Sequence, residues 1–216
     1  MNLNLYLMRH GHRADDPLDN PDGVRVPKGR ELDPDISSVG ERQATQIGVM
    51  LKDHASVKYI YSSPFLRAVH TAHCVAAVLS LRVRLEWGLS EFLGPAYFQD
   101  WPGTIAFEKL VKMFPTIEAW TGTGVLPECP EYDMWGAHNR YMQTAEFLIA
   151  KHKPFGEDFL LVTHGAGVCS IAPGLAGWNG YQPRPFLAAI TALHFDSTRW
   201  YLEQNGDTSH LDYVRI

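Results

Sequence analysis

Apolar and polar positions along the chain follow two alternating rhythms. Short runs rich in apolar, β-branched or aromatic residues occur at Leu3–Met8, Val57–Ser62, Arg82–Trp87, Phe159–Thr163, Ala189–Phe195 and Trp200–Gln204. Each has the length and composition of a strand. Between several of them the apolar residues recur at helical spacing. Ser38-Val39-Gly40-Glu41 has the form of a capping box. Ala44, Ile47, Met50 and Leu51 then share one face of the helix it opens. Pro64, after Ser63, is expected to start a second helix, with Ala68, Thr71, Ala72 and Val75 turned inward. A third helix is expected over about Met134–Lys151 and a fourth from near Gly165. The alternation predicts an α/β fold, a three-layer α/β/α sandwich around a mainly parallel central sheet.

Two stretches break the rhythm. Asp15–Asp35, rich in Pro, Asp and Gly, reads as a long loop. Phe92–Asp133 carries Pro95, Pro102, Pro115, Pro127 and Pro130 together with Trp101 and Trp120, and leaves room for a short helix near Ile105–Phe114. Both follow segments that carry candidate chemistry. Long loops in compact domains serve as binding elements or as covers for a sheet edge.

Composition narrows the picture. At 216 residues the chain can bury one large core, and one domain with a sizeable insertion is expected. A net charge of −5 argues against a general nucleic-acid or anionic-membrane binder, while leaving room for a local basic pocket. Cys74, Cys129 and Cys169 are scattered, without disulfide-framework or zinc spacing, and read as reduced thiols. Cys169, in an apolar stretch, reads as a buried inert thiol. With neither a leader nor an apolar run of membrane-spanning length visible, a cytoplasmic location is expected.

Four segments share one form, a strand followed by polar residues at its C-terminal end. They are Arg9-His10-Gly11, Ser62-Ser63-Pro64-Phe65-Leu66-Arg67, Glu86-Trp87-Gly88-Leu89-Ser90-Glu91 and Leu161-Val162-Thr163-His164-Gly165. Open α/β sheets bind ligands outside the carboxyl ends of their strands, so these segments can converge on one pocket. Arginines beside a histidine make a poor core cluster but a good anion clamp, because a guanidinium fork matches phosphate oxygens. A neutral imidazole can attack phosphorus, arginines and a second histidine can spread the charge of a transferring phosphoryl group, and a carboxylic acid can protonate the leaving oxygen. With no phosphate-cradling glycine loop and no carboxylate cluster for magnesium, the set points to metal-free phosphoryl transfer through a phosphohistidine, with no cofactor.

These residues carry a resemblance. Arg9-His10-Gly11, Ser63-Pro64 with Arg67 and Thr71-Ala72 behind it, Thr163-His164-Gly165, the Gly40-Gln43-Ala44 helix start and the stretch from Asn205 to Leu211 resemble the histidine phosphatase superfamily, which includes phosphoglycerate mutases. The resemblance implies a phosphoglycerate mutase-like fold over residues 1–216, with a cap insertion at about 92–133. It implies that His10 is the nucleophile and that Arg9, Arg67 and His164 hold the phosphate. Within the superfamily, Asp33-Pro34-Asp35-Ile36-Ser37 and Asp207-Thr208-Ser209-His210-Leu211 resemble the phosphatase domain of the suppressor of T-cell receptor signalling proteins and the insect ecdysteroid-phosphate phosphatases. That branch implies Arg13 as a further phosphate ligand, Glu91 as proton donor and a homodimer. It admits phosphotyrosine in proteins or small hydrophobic phosphate esters as substrates, and the aromatic insertion suits an aryl or apolar leaving group.

The departures are specific. His12 stands where relatives often carry an acidic residue, and its side chain is expected to point away from the nucleophile. Glu86 is the local rival to Glu91 as the acid, and Asp100 a weaker one. The Ser and Asn after the Arg-His-Gly corner and the Glu-Arg-His-Tyr-Gly segment of mutase-type relatives are absent, which favours hydrolysis. The alternatives are a phosphoglycerate mutase, a sugar bisphosphatase or a catalytically silent phosphate-binding module. His54, His70, His73, His138, His152 and His194 read as structural or surface residues. His70 and His73, one helical turn apart, lack an obvious third metal ligand, and Arg9 and Arg13 oppose a metal at His10 and His12.

Overall fold

The computed structural model describes all residues except 17–19, 21, 22, 24, 25, 27, 179 and 213–216. Part of the expected Asp15–Asp35 loop therefore lies outside the described residues. Seven strands form one sheet: β1 (Leu3–Arg9), β2 (Tyr59–Ser62), β3 (Val83–Leu85), β4 (Ile117–Glu118), β5 (Phe159–Thr163), β6 (Ile190–Phe195) and β7 (Trp200–Asp207). Their spatial order is β4-β3-β2-β5-β1-β6-β7. β1, β2, β3, β4 and β5 pair in parallel, and β6 and β7 extend the sheet antiparallel beyond β1. The helices are α1 (Ser38–His54), α2 (Leu66–Leu79), α3 (Phe107–Met113), α4 (Met134–His152) and α5 (Gly165–Ala176).

The period-2 alternation of each buried strand divides its side chains between two cores. Leu3, Leu5 and Leu7 of β1 face the side where Phe159 and Leu161 of β5 meet Ala137, Tyr141 and Ala145 of α4 and Val168 and Ile171 of α5. Met8, Leu160 and Val162 face the opposite side, against Ala44, Ile47 and Leu51 of α1 and Ala68, Ala72 and Val75 of α2. Each fully buried leucine or isoleucine contributes roughly 1.5–3 kcal/mol of transfer free energy. These two apolar clusters are the physical content of the three-layer α/β/α arrangement expected from the sequence.

Local details differ from expectation. The N-cap of α1 is Ser37, not Ser38; its Oγ accepts from the Gly40 amide at 3.2 Å. Gly40 stands three residues after that cap and has no side chain to reach back, so no capping box forms. The helix after Ser63 begins at Leu66 rather than Pro64, with Phe65 as its cap. Ser63 Oγ is bound to His164 Nε2 at 2.8 Å and accepts from the Phe65 amide, which holds Ser63–Phe65 as a turn. The strand expected to run to Trp87 stops at Leu85, because Glu86 turns its carboxylate onto the Gly88 amide and caps a 3₁₀ turn over Trp87–Leu89. β7 continues beyond Gln204 to Asp207. β4, unforeseen, is too short to show an alternation; backbone pairing with β3 creates it.

Candidate active site

Parallel pairing brings the C-terminal ends of β1, β2, β3 and β5 to one edge. Arg9 is in register with Thr163, and Ser62 with both Val162 and Leu85. The residues that follow those strand ends therefore meet, as the sequence analysis expected. His10 is buried, its ring centroid 5.4 Å from that of His164. Its Nδ1 lies 2.9 Å from the Gly11 carbonyl oxygen. A carbonyl only accepts, so Nδ1 carries the proton and Nε2 keeps its lone pair. Burial, then the Arg67 and Arg9 cations and His164, lowers the His10 pKa well below its ordinary value. The ring is neutral at neutral pH and available as a nucleophile.

The loop bearing His10 is held by close backbone contact. A Cβ on Gly11 would lie 2.8 Å from the Gly40 carbonyl oxygen, and one on Gly40 would meet the His12 carbonyl oxygen at 2.5 Å. Gly11 is thus required for this approach to the start of α1, rather than for a sharp turn. The Gly11 amide donates to Thr71 Oγ1 at 3.0 Å, and the His12 amide to Gln43 Oε1 at 3.0 Å. His12 points away from the nucleophile, as expected, with Nδ1 2.8 Å from Ser37 Oγ.

Arg9 and Arg67 are the cations of the site. Arg9 Nη1 donates to the Pro185 carbonyl at 2.9 Å. Arg67, nearly fully buried in the first turn of α2, donates through Nη2 to Glu91 Oε2 at 3.1 Å. Arg9 Nε and Arg67 Nε and Nη1 are buried yet form no hydrogen bond among the described residues. Unfilled guanidinium donors at a buried site are costly unless an anion takes them. α5 starts at Gly165, its N-cap His164 makes no side-chain hydrogen bond to the helix amides, and a helix N-terminus favours an anion. Asp33 buttresses Arg67: it accepts from the Leu66 amide at 2.7 Å and lies 3.9 Å from Arg67 Nη1. Arg13, near enough for its charge to act on Arg9, Arg67 and Glu91, is held in a bidentate pair with Asp15 at 2.8 and 2.7 Å.

Glu91 completes the cluster, with Oε2 3.2 Å from His164 Nδ1 in a contact poorly aligned for a hydrogen bond. Burial pushes the Glu91 carboxyl upward, but His164 and Arg67 outweigh it and hold it well below the ordinary carboxylate range. His164 is itself lowered to about 4, chiefly by burial, so at neutral pH the neighbouring arginines, Arg67 foremost, keep Glu91 ionised. Ligand atoms of His10, Glu91 and His164 lie within 4.8 Å of one another. A divalent cation among them would have to sit beside Arg9 and Arg67, whose charge opposes it.

Glu86, the rival acid, is saturated: it accepts from the Gly88 amide, Trp120 Nε1, and both the amide and hydroxyl of Thr123. It ties the 120–123 segment to the sheet. Asp100 is exposed. His70 joins α2 to the loop before α1 and to α1 itself, with Nδ1 2.9 Å from Asp35 and Nε2 3.5 Å from Glu41. Sequence reasoning missed Arg140 and Glu131, a buried pair behind Glu91. The signal was present, since Arg140 falls three residues after Ala137 on the inward face of α4, and an arginine in a buried stripe must have a partner.

A family model for the histidine phosphatase superfamily, branch 1, matches residues 5–208. The chain belongs to that superfamily. Among its relatives, the transcription factor tau 55 kDa subunit of Saccharomyces cerevisiae is 26% identical over 208 residues, covering 94% of this chain and 44% of that protein. The ubiquitin-associated and SH3 domain-containing protein B of Mus musculus is 25% identical over 178 residues, covering 76% of this chain and 27% of that protein. The chain thus spans less than half the length of either. Among solved structures, the ecdysone phosphate phosphatase of Bombix mori in complex with tungstate superposes with a TM-score of 0.76 at 18% identity, covering 95% of this chain and 93% of that one. The fold of this histidine phosphatase superfamily member is therefore shared, and both groups of the expected branch occur among its relatives.

Proposed function

We propose that this chain is a metal-independent phosphomonoesterase that works through a phosphohistidine on His10. The observation that carries the reading is His10 pinned through Nδ1, which leaves the lone pair on Nε2, beside Arg9 and Arg67, of which Arg9 Nε and Arg67 Nε and Nη1 are buried and form no hydrogen bond among the described residues. In this reading His10 Nε2 attacks phosphorus in line as the ester oxygen leaves. Arg9, Arg67 and His164 hold the equatorial oxygens, where charge stabilisation supplies the largest catalytic term. Arg13 adds to them once it leaves Asp15.

Glu91 protonates the leaving oxygen, then takes a proton from the water that hydrolyses the phosphohistidine. Its ionised state in the free protein sets a condition. The phosphate draws on Arg67, weakens that cation's hold on Glu91 and raises the carboxyl's affinity for a proton. An ester entering as the monoanion brings that proton with it.

For the substrate, we infer an aryl or hydrophobic phosphate ester, phosphotyrosine included. The Phe65 ring lies 5.3 Å from His164 and 6.5 Å from Trp101, which lies 5.4 Å from Trp87. Trp101 and Trp87 are 38% and 36% exposed, so the aromatic run reaches the surface. Residues 92–133, which supply Trp101, would form a cap over this mouth. The test is hydrolysis of 4-nitrophenyl phosphate with a chelator present, by the parent and by His10→Ala. Turnover that survives the chelator and disappears in a folded His10→Ala protein supports the reading. A folded, active His10→Ala protein ends it. Preference for glucose phosphates over aryl phosphates overturns the substrate class alone.

A further inference from the structure

Glu91 sits on a segment without regular secondary structure, between the 3₁₀ turn and α3, yet general acid catalysis needs its carboxyl held within hydrogen-bond reach of the leaving oxygen. What fixes that segment is on α4. Arg140 Nε and Nη2 donate to the two oxygens of Glu131 at 2.7 and 2.9 Å. Nη1 donates to the carbonyls of Gly88 and Ser90 at 2.8 and 3.0 Å, and Nη2 to that of Glu91 at 3.2 Å. A guanidinium has five N–H groups, and these contacts employ all five. Glu131 grips the other flank, accepting from the Leu93 amide at 2.9 Å while its own amide donates to the Leu93 carbonyl at 2.8 Å. The Tyr141 hydroxyl donates to the Ser90 carbonyl at 2.6 Å. Arg140 and Glu131 are each only 5% exposed.

We propose that the buried Arg140–Glu131 pair is a positioning device that aims Glu91 at the leaving-group oxygen, through the main chain on both sides of it. The proposal rests on the reading of Glu91 as proton donor. A buried guanidinium needs acceptors wherever it sits; here three of them are carbonyls of the four-residue stretch that ends in Glu91, and the same pair ties the Leu93 amide beyond it. The geometry makes proton delivery depend on five donors that a lysine, with one ammonium on a flexible stem, cannot reproduce.

The experiment measures kcat/KM for phosphate monoesters of rising leaving-group pKa, from 4-nitrophenyl through phenyl to alkyl. This quantity reports the step in which the leaving oxygen departs, whatever the rate of phosphohistidine hydrolysis. Arg140→Lys is expected to lose about threefold on 4-nitrophenyl phosphate and tenfold or more on the alkyl ester. Glu91→Gln is expected to show the same trend more steeply, since positioned acid catalysis is worth about 10²–10⁴-fold. If Arg140→Lys does not fold, the double variant Arg140→Met with Glu131→Leu replaces it, because removing both partners leaves no buried charge unpaired. Equal loss on every ester, or none, overturns the positioning role. A flat profile for Glu91→Gln as well overturns the proton-donor reading and the proposal with it. A steep Glu91→Gln profile beside a flat Arg140 variant overturns the proposal alone.

Discussion

Gly11 and Gly40 pack backbone against backbone, so that a Cβ on Gly11 would lie 2.8 Å from the Gly40 carbonyl oxygen. The nucleophile loop is pressed onto the first turn of α1 at a point where neither chain can yield. Gly40→Ala is expected to destabilise the fold by about 1–3 kcal/mol, the usual cost of overpacking. It should also lower turnover, because His10 adjoins Gly11. Gly136, whose Cβ would meet only Asp133 Oδ1 at 3.5 Å, is the control. Thermal unfolding of Gly40→Ala and Gly136→Ala checks this, and equal melting temperatures would refute it.

Arg67 supplies direction as well as charge. Its Nη2 holds Glu91 while Nε and Nη1 form no hydrogen bond among the described residues. Arg67→Lys keeps the charge and loses the planar fork. Vanadate is expected to bind at least tenfold more weakly, while the Glu91 carboxyl stays below its ordinary range because the cation beside it is kept. Calorimetric titration with vanadate reads the first effect, and the acid limb of the pH–rate profile reads the second. Unaltered vanadate affinity would remove Arg67 from the phosphate site.

Stability should fall as the pH drops below neutrality, before carboxylates contribute. Burial lowers the His164 pKa to about 4, against roughly 6.5 in an unfolded chain. Between those values the unfolded state binds a proton that the folded state refuses, so stability present above pH 6.5 is lost progressively toward pH 4. This group alone accounts for on the order of 3 kcal/mol. His10, shifted the same way, adds to the loss. Glu91 does not enter this window, because its folded pKa is depressed and its contribution is lost only below about 4.5. Urea unfolding of the parent and of His164→Asn across pH 4–7 measures the difference; parallel curves would refute the assignment.

The two candidate acids separate by substitution. Glu86 spends both oxygens on Gly88, Trp120 and Thr123. Glu86→Gln is expected to loosen the 120–123 segment and lower the melting temperature, while leaving the dependence of kcat/KM on leaving-group pKa unchanged. Glu91→Gln should steepen that dependence, whatever stability it loses with its charge beside Arg67. The reverse pattern would exchange the roles.

The sheet and its site were legible to different depths. Leu3, Leu5 and Leu7, like Ala68, Ala72 and Val75, declare their buried faces through local periodicity, and these faces alone specify strands, helices and layers. The convergence of His10, Arg67, Glu91 and His164 was also accessible, because a parallel sheet must bring its strand ends to one edge. Other features depend on chain segments distant in sequence. Gly11 and Gly40 meet backbone to backbone. Ile117 and Glu118 become a strand only because β3 offers an open edge. Glu86 is spent on Trp120 and Thr123, which leaves Glu91 to face His164. Periodicity records which side of an element is buried. It carries no record of which distant backbone carbonyl a buried guanidinium will find, and so the five-donor grip of Arg140 behind Glu91 exists only in the packed molecule.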